Sequence, residues 1–265
     1  MQSRVFFDMS NVEYLTNDAL MYLLAIIKNV KVKYNSAGNL PKNQECKKIV
    51  TDSGFLNYVN TNKAIEITKT TNKLQIQSGN TIDIVVAKNI CDFMINDCGM
   101  KKNECRFLYD IIIELMTNTY QHAYNNNNML LSYWYVFVEK EREVVKFTFL
   151  DTGEGIPQTI KKKWFEKMKL LEIKTDSEFI NAALNEKFRS RTAKNYRGKG
   201  LPKIYKYYLN DKIKNLKIIS RYGIFESNFS DKTLKEKLQG TLFSWEVSIE
   251  KLSKEENINV ENNNI

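Results

Sequence analysis

The stretch Glu114-Leu-Met-Thr-Asn118-Thr-Tyr-Gln-His122-Ala-Tyr124 continues an apolar run, Phe107-Leu108-Tyr109-Asp110-Ile111-Ile112-Ile113, and together they predict a helix over 104–124. Glu114, Asn118 and His122 are spaced by four and fall near one line of that helix, while Leu108, Ile111, Ile112 and Leu115 form the opposite, buriable face. A carboxylate, an amide and an imidazole on a buried helix are costly to desolvate without partners. Either they are satisfied within the core, or they face a polar cavity.

The segments flanking this helix predict an α/β chain. Upstream, residues 82–98 (Ile82, Ile84, Val85, Val86, Ile90, Phe93, Met94) are amphipathic with helical spacing. Downstream, 130–138 and 144–150 read as strands, with the charged residues Glu139 to Glu143 as the turn of a hairpin. Asp151-Thr-Gly153-Glu-Gly155-Ile156-Pro157 follows at the strand end. Residues 158–196 are basic and read as interrupted helix, and Arg197-Gly198-Lys199-Gly200-Leu201-Pro202 opens a helix to about 209. Strands are expected at 216–221 and 241–248, the last opened by Gly240-Thr241. Five of the ten glycines lie in these three motifs. Glycines at a strand end let backbone approach a ligand, and Asp151 there can accept from an exocyclic amine. A glycine-rich helix N-terminus favours phosphate, and Arg197 and Lys199 add positive charge beside it.

In this order the motifs resemble the Bergerat-fold ATP-binding domain shared by DNA gyrase, heat-shock chaperone ATPases, histidine kinases and MutL repair proteins. Residues 104–124 are similar to its N box, 151–157 to its first glycine box, 198–201 to its second and 240–241 to its Gly-Thr box. The match spans roughly 82–250, and the helix looks most like that of the anti-sigma-factor serine kinases and similar stand-alone domains. The resemblance implies an α/β two-layer sandwich, a mixed sheet covered by helices, binding ATP and Mg²⁺. It makes Glu114 the general base and Asn118 the magnesium ligand. Asp151 would read the adenine amine, with Gly153, Gly155 and Ile156 shaping the pocket and Thr241 supporting it. Arg197, Gly198, Lys199, Gly200 and Leu201 would hold the phosphates beside His122, and 158–197 would be a mobile lid. His122 is the only histidine and sits on the site helix, which excludes a self-contained sensor histidine kinase.

Residues 1–80 are expected to be a small α/β region, with a strand at 4–10 and a helix over 17–29 capped by Thr16 or Asn17. Val5 to Leu20 resembles the strand–turn–helix of STAS domains, although Asp18 and Ala19 stand where that family has a phosphoacceptor and a glycine; a generic strand–helix unit fits equally. Segments 64–68 and 73–77 suggest a hairpin, and the tail 251–265 reads as disordered. The 265-residue chain is 43% hydrophobic with net charge +9. That charge permits nucleic-acid contact, but no motif supports it. No apolar run is long enough for a membrane span, and nothing resembles a signal peptide. Cys46, Cys91, Cys98 and Cys105 lack metal-ligand spacing and suggest reduced thiols in a cytoplasmic protein.

The function expected is an ATPase whose lid controls a protein partner, a homodimer being compatible with it. The alternatives are an anti-sigma-type protein Ser/Thr kinase, a non-hydrolysing nucleotide-dependent interaction module, or the ATPase subunit of a bacterial defence or DNA-transaction system.

Overall fold

In a computed structural model, residues 4–31, 35–59, 72–123, 133–164, 169, 171–187, 200–226 and 233–249 are described. Their centre is a five-stranded sheet built from β3 (Lys73–Gly79), β4 (Trp134–Glu141), β5 (Val144–Asp151), β6 (Lys214–Glu226) and β7 (Thr233–Ser248), in the order β3-β4-β5-β7-β6. Every pairing in it is antiparallel. A separate parallel pair joins β1 (Arg4–Phe7) to β2 (Asn35–Gly38). The α/β class expected from the sequence is what the structure shows, but the central sheet is antiparallel throughout rather than mixed, and helices pack on both of its faces rather than making two layers.

Alternation along the strands divides the core in two. Trp134, Val136, Val138, Phe147, Phe149, Phe243 and Trp245 face one side, where they meet α4 (Ile84–Asn96), α5 (Arg106–Ala123) and α8 (Gly200–Leu209). Tyr135, Phe137, Leu150 and Leu242 face the other, where they meet α1 (Asn17–Lys31), α2 (Gln44–Asp52) and α3 (Phe55–Val59). Trp134 to Val138 are all buried because β4 is covered on both faces, which is why the sequence there is one continuous apolar run. Leu108, Ile111, Ile112, Leu115 and Met116 of α5 are buried, each worth roughly 1.5–3 kcal/mol relative to exposure.

Several boundaries differ from expectation. The charged turn shrinks to Arg142 and Glu143, because Glu139 to Glu141 continue in register with Lys146 to Val144. The strand at 73–77 exists, but as β3 paired to β4; its expected hairpin partner, 64–68, lies outside the described residues. Gly240-Thr241 does not open the last strand. It sits inside β7, which begins seven residues earlier at Thr233. The interrupted helical stretch contains α6 (Ile156–Lys163) and α7 (Asp176–Leu184). The tail 251–265 lies outside the described residues.

The N-terminal helix is fastened to the sheet through its first turn. Thr16 is the cap, its hydroxyl accepting from the Ala19 amide at 3.2 Å. Asp18 accepts hydrogen bonds from Thr148 on β5 at 3.2 Å and Ser244 on β7 at 3.1 Å, with Lys217 at 3.8 Å. Leu20, Met21 and Leu24 then bury against the sheet. Asp18→Ala leaves two strand hydroxyls without their acceptor and is expected to lower unfolding free energy by about 1–3 kcal/mol in urea titration.

Candidate functional site

β5 ends in Asp151, whose Cα pairs with Thr241 on β7. One residue before Thr241, β7 bulges. Thr241 opposes Ser220 and Leu238 opposes Arg221, so Gln239 and Gly240 are extra residues on the β7 side. Gly240 takes φ +95°, and a Cβ there would overlap the Asp151 backbone carbonyl, so only glycine fits. Beyond the bulge β7 pairs with β6 alone.

The Asp151 carboxylate accepts from the Gly153 amide at 2.8 Å. Burial pushes its pKa up to about 6, against the opposing pull of that amide and of the Thr241 hydroxyl and amide. The turn that follows is held by Ser220. Gly155 caps α6 without a side chain, and the Ile156 amide donates instead to the Ser220 hydroxyl at 2.9 Å. Ser220 also meets the Gly240 carbonyl and the Thr241 hydroxyl, each at 3.1 Å.

A second cluster joins α5 to α8. Glu114 packs so closely on Gly200, the first residue of α8, that a Cβ there would overlap its carboxyl. Burial raises the Glu114 pKa, with Lys203 opposing the rise and Asp110 adding to it. Asp110 accepts from Lys203 at 2.7 Å and from the Tyr207 hydroxyl at 2.9 Å. Burial alone would raise the Asp110 pKa, but these two bonds hold it below the usual value. This clamp fixes the α8 N-terminus against Glu114. Asn118 lies one turn beyond Glu114 and is half-buried. Ile156 and Leu201 both pack against the core cluster that contains α5.

The described part of the expected lid is docked. Asp176, at the start of α7, binds Lys161 of α6 at 3.0 Å and lies 3.6 Å from Arg221 of β6. The Ser177 hydroxyl accepts from the Ile224 amide at 3.1 Å. Phe179 and Ala182 of α7 share a small core with Ile160 of α6.

The structure thus brings Glu114 to Gly200, and Asp151 to Gly153, Gly155, Ile156 and Thr241. Arg197, Gly198 and Lys199 lie outside the described residues, as does the His122 side chain, whose backbone belongs to α5. Sequence reading missed Ser220. It stands on the core-facing side of β6 with the apolar Leu216 and Ile218, and only the contacts that converge on it set it apart. Among the described residues no group of three or more acidic, cysteine or histidine side chains is placed to hold a metal. Among the described residues no helix is long and apolar enough to cross a membrane.

A groove of about 390 Å³ lies toward the other end of β5, lined by Asn17, Asp18, Glu139, Lys146, Asn215 and Glu246 among others. Its walls satisfy each other: Asn17 donates to Glu139 at 2.8 Å and Asn215 to Glu246 at 2.6 Å. It is separate from the Asp151 cluster. In comparisons with known proteins, no family model matches the chain and no curated protein matches it significantly.

An acid whose folded pKa is raised loses stability as pH climbs from its unfolded to its folded value. Asp151→Asn is therefore expected to match the parent below about pH 4 and to exceed it by roughly 2–3 kcal/mol above about pH 6, measured by denaturant unfolding across pH. Gly200→Ala should cost about 1–3 kcal/mol despite alanine's better helix propensity, and in a Glu114→Ala background the same change should become neutral or stabilising. A double-mutant cycle reads that difference.

Proposed function

We propose that the chain binds Mg-ATP in a Bergerat-type site and uses it for hydrolysis or phosphoryl transfer that controls a protein partner. The observation that carries this reading is the pairing of a half-dehydrated carboxylate, Glu114, with the glycine at the N-terminus of α8. A buried polar network around Asp151, Thr241 and the turn at Gly153 to Ile156 supports it independently.

In this reading the Asp151 carboxylate accepts a hydrogen bond from the adenine amine, with Ile156 as an apolar wall. The amides opening α8 at Gly200 and Leu201 point toward the phosphates, where the helix dipole favours negative charge. Asn118 would hold magnesium, which would supply charge neutralisation for the phosphates when bound. Glu114, made more basic by burial, takes the proton from a water or a protein hydroxyl as its oxygen attacks the γ-phosphorus. The bond from that phosphorus to the β–γ bridging oxygen breaks, and ADP leaves. Water as nucleophile gives phosphate; a serine or threonine hydroxyl gives a phosphoprotein. The Asp110–Lys203–Tyr207 clamp keeps α8 in place for this step.

Calorimetry with ATP is expected to show magnesium-dependent binding that Asp151→Asn weakens about tenfold or more, by loss of a charge-assisted hydrogen bond. Glu114→Ala should retain binding and lose phosphate release or transfer from labelled ATP. Absence of magnesium-dependent affinity in the parent chain defeats the reading.

A further inference from the structure

The four cysteines are free thiols, and two of them meet. Cys91 lies in the second half of α4, and Cys105 is the residue before α5. Although 14 positions apart, they contact each other reciprocally: the Cys91 thiol donates to the Cys105 carbonyl at 3.7 Å, and the Cys105 thiol to the Cys91 carbonyl at 3.8 Å. The exchange places both side chains in one gap between the helices, each sulfur against the other residue's backbone. Side chains that face each other in this way are what a disulfide requires. The Cys105 carbonyl also accepts from the Leu108 and Tyr109 amides, so the contact joins α4 to the first turn of the helix that carries Glu114 and Asn118.

The two thiols differ in access. Cys105 is 3% exposed, whereas Cys91 is half-buried and reaches solvent. The adjoining Cys105 thiol lowers the Cys91 pKa, against burial and the charge of Asp92. For Cys105 the neighbouring thiol and burial both act upward, and Glu104 and Asp92 add to the rise. An accessible sulfur that ionises more readily, backed by a buried one that does not, is an asymmetric pair.

We propose that Cys91 and Cys105 form a modification site for peroxide oxidants, Cys91 attacking and Cys105 resolving, and that the reversible disulfide between them pins the start of α5 to α4. Cys91 gives up its proton, and its sulfur attacks one oxygen of hydrogen peroxide. The O–O bond breaks, and the leaving hydroxide takes up a proton as water. Cys91 is then a sulfenic acid, oxidised by two electrons. The Cys105 sulfur attacks that sulfur, the S–O bond breaks, and the hydroxyl leaves as water with the Cys105 proton. Two thiols and one peroxide become one disulfide and two waters. A dithiol reductant reverses the link by exchange.

Stoichiometric hydrogen peroxide on the folded full chain tests this. Thiols counted after denaturation should fall from the four of the sequence by one pair, and dithiothreitol should restore them. Digestion without reduction should give Cys91 linked to Cys105, and Cys98→Ser should form the same link. Cys105→Ser should stop at a sulfenic acid on Cys91 that dimedone labels, and Cys91→Ser should react about tenfold more slowly or less. The linked chain should melt about 5 °C or more above the reduced one, because the link closes segment 91–105 in the unfolded chain. Cys91→Ser should show no such gain. A link to Cys98 or Cys46 instead, a link that forms only in urea, or a lower melting temperature after oxidation overturns the proposal.

Discussion

Asp151 is a carboxylate held at the end of a strand that is buried along most of its length, and that placement carries a desolvation cost. The surrounding structure is arranged about it. The bulge at Gly240 brings β7 past the Asp151 carbonyl, the Gly153 amide turns back onto the carboxylate, and Ser220 anchors the next turn to both. Glu114 repeats the theme on α5, where a glycine rather than a polar partner gives the carboxyl room. Two acids kept partly out of water, each packed against a glycine, are poor choices for stability alone.

The helix α5 and the class of the fold were legible in sequence, because α5 has strong 3.6-residue periodicity and β4 and β5 are dense in β-branched and aromatic residues. Asp151, Gly153, Gly155 and Gly200 were legible because glycines clustered beside an acid or at a helix start carry a backbone meaning. The position of Gly240 was misjudged for a physical reason. A glycine at a strand pattern's edge looks like a start signal, whereas its bulge depends on a partner strand twenty residues away. Ser220 was invisible because one serine in a strand carries no local signature; its value comes from Gly155, Gly240 and Thr241 converging on it.

The N-terminal residues were legible as a strand and a helix, but not in their relation to the rest. Asp18 is an acceptor for hydroxyls on β5 and β7, more than a hundred positions away. Such contacts leave no trace in local pattern, since each partner is an ordinary polar residue on its own strand. α1 and α3 share their core with Tyr135, Phe137, Leu150 and Leu242, so the sheet's second face is covered by the first sixty residues.

At the far end from the bulge, Glu139, Lys146, Glu246 and Lys214 stand opposite one another across β4, β5, β7 and β6, alternating in sign. A slip of β7 by two residues keeps its faces correct but breaks this row. It also brings Leu238 or Leu242 to the place where Gly240 passes the Asp151 carbonyl, and a side chain cannot fit there. The strand is thus keyed at both ends, by charge at one and by size at the other. During folding, such a key rejects the mispaired sheet that hydrophobic pattern alone would accept, and it sets Thr241 opposite Asp151.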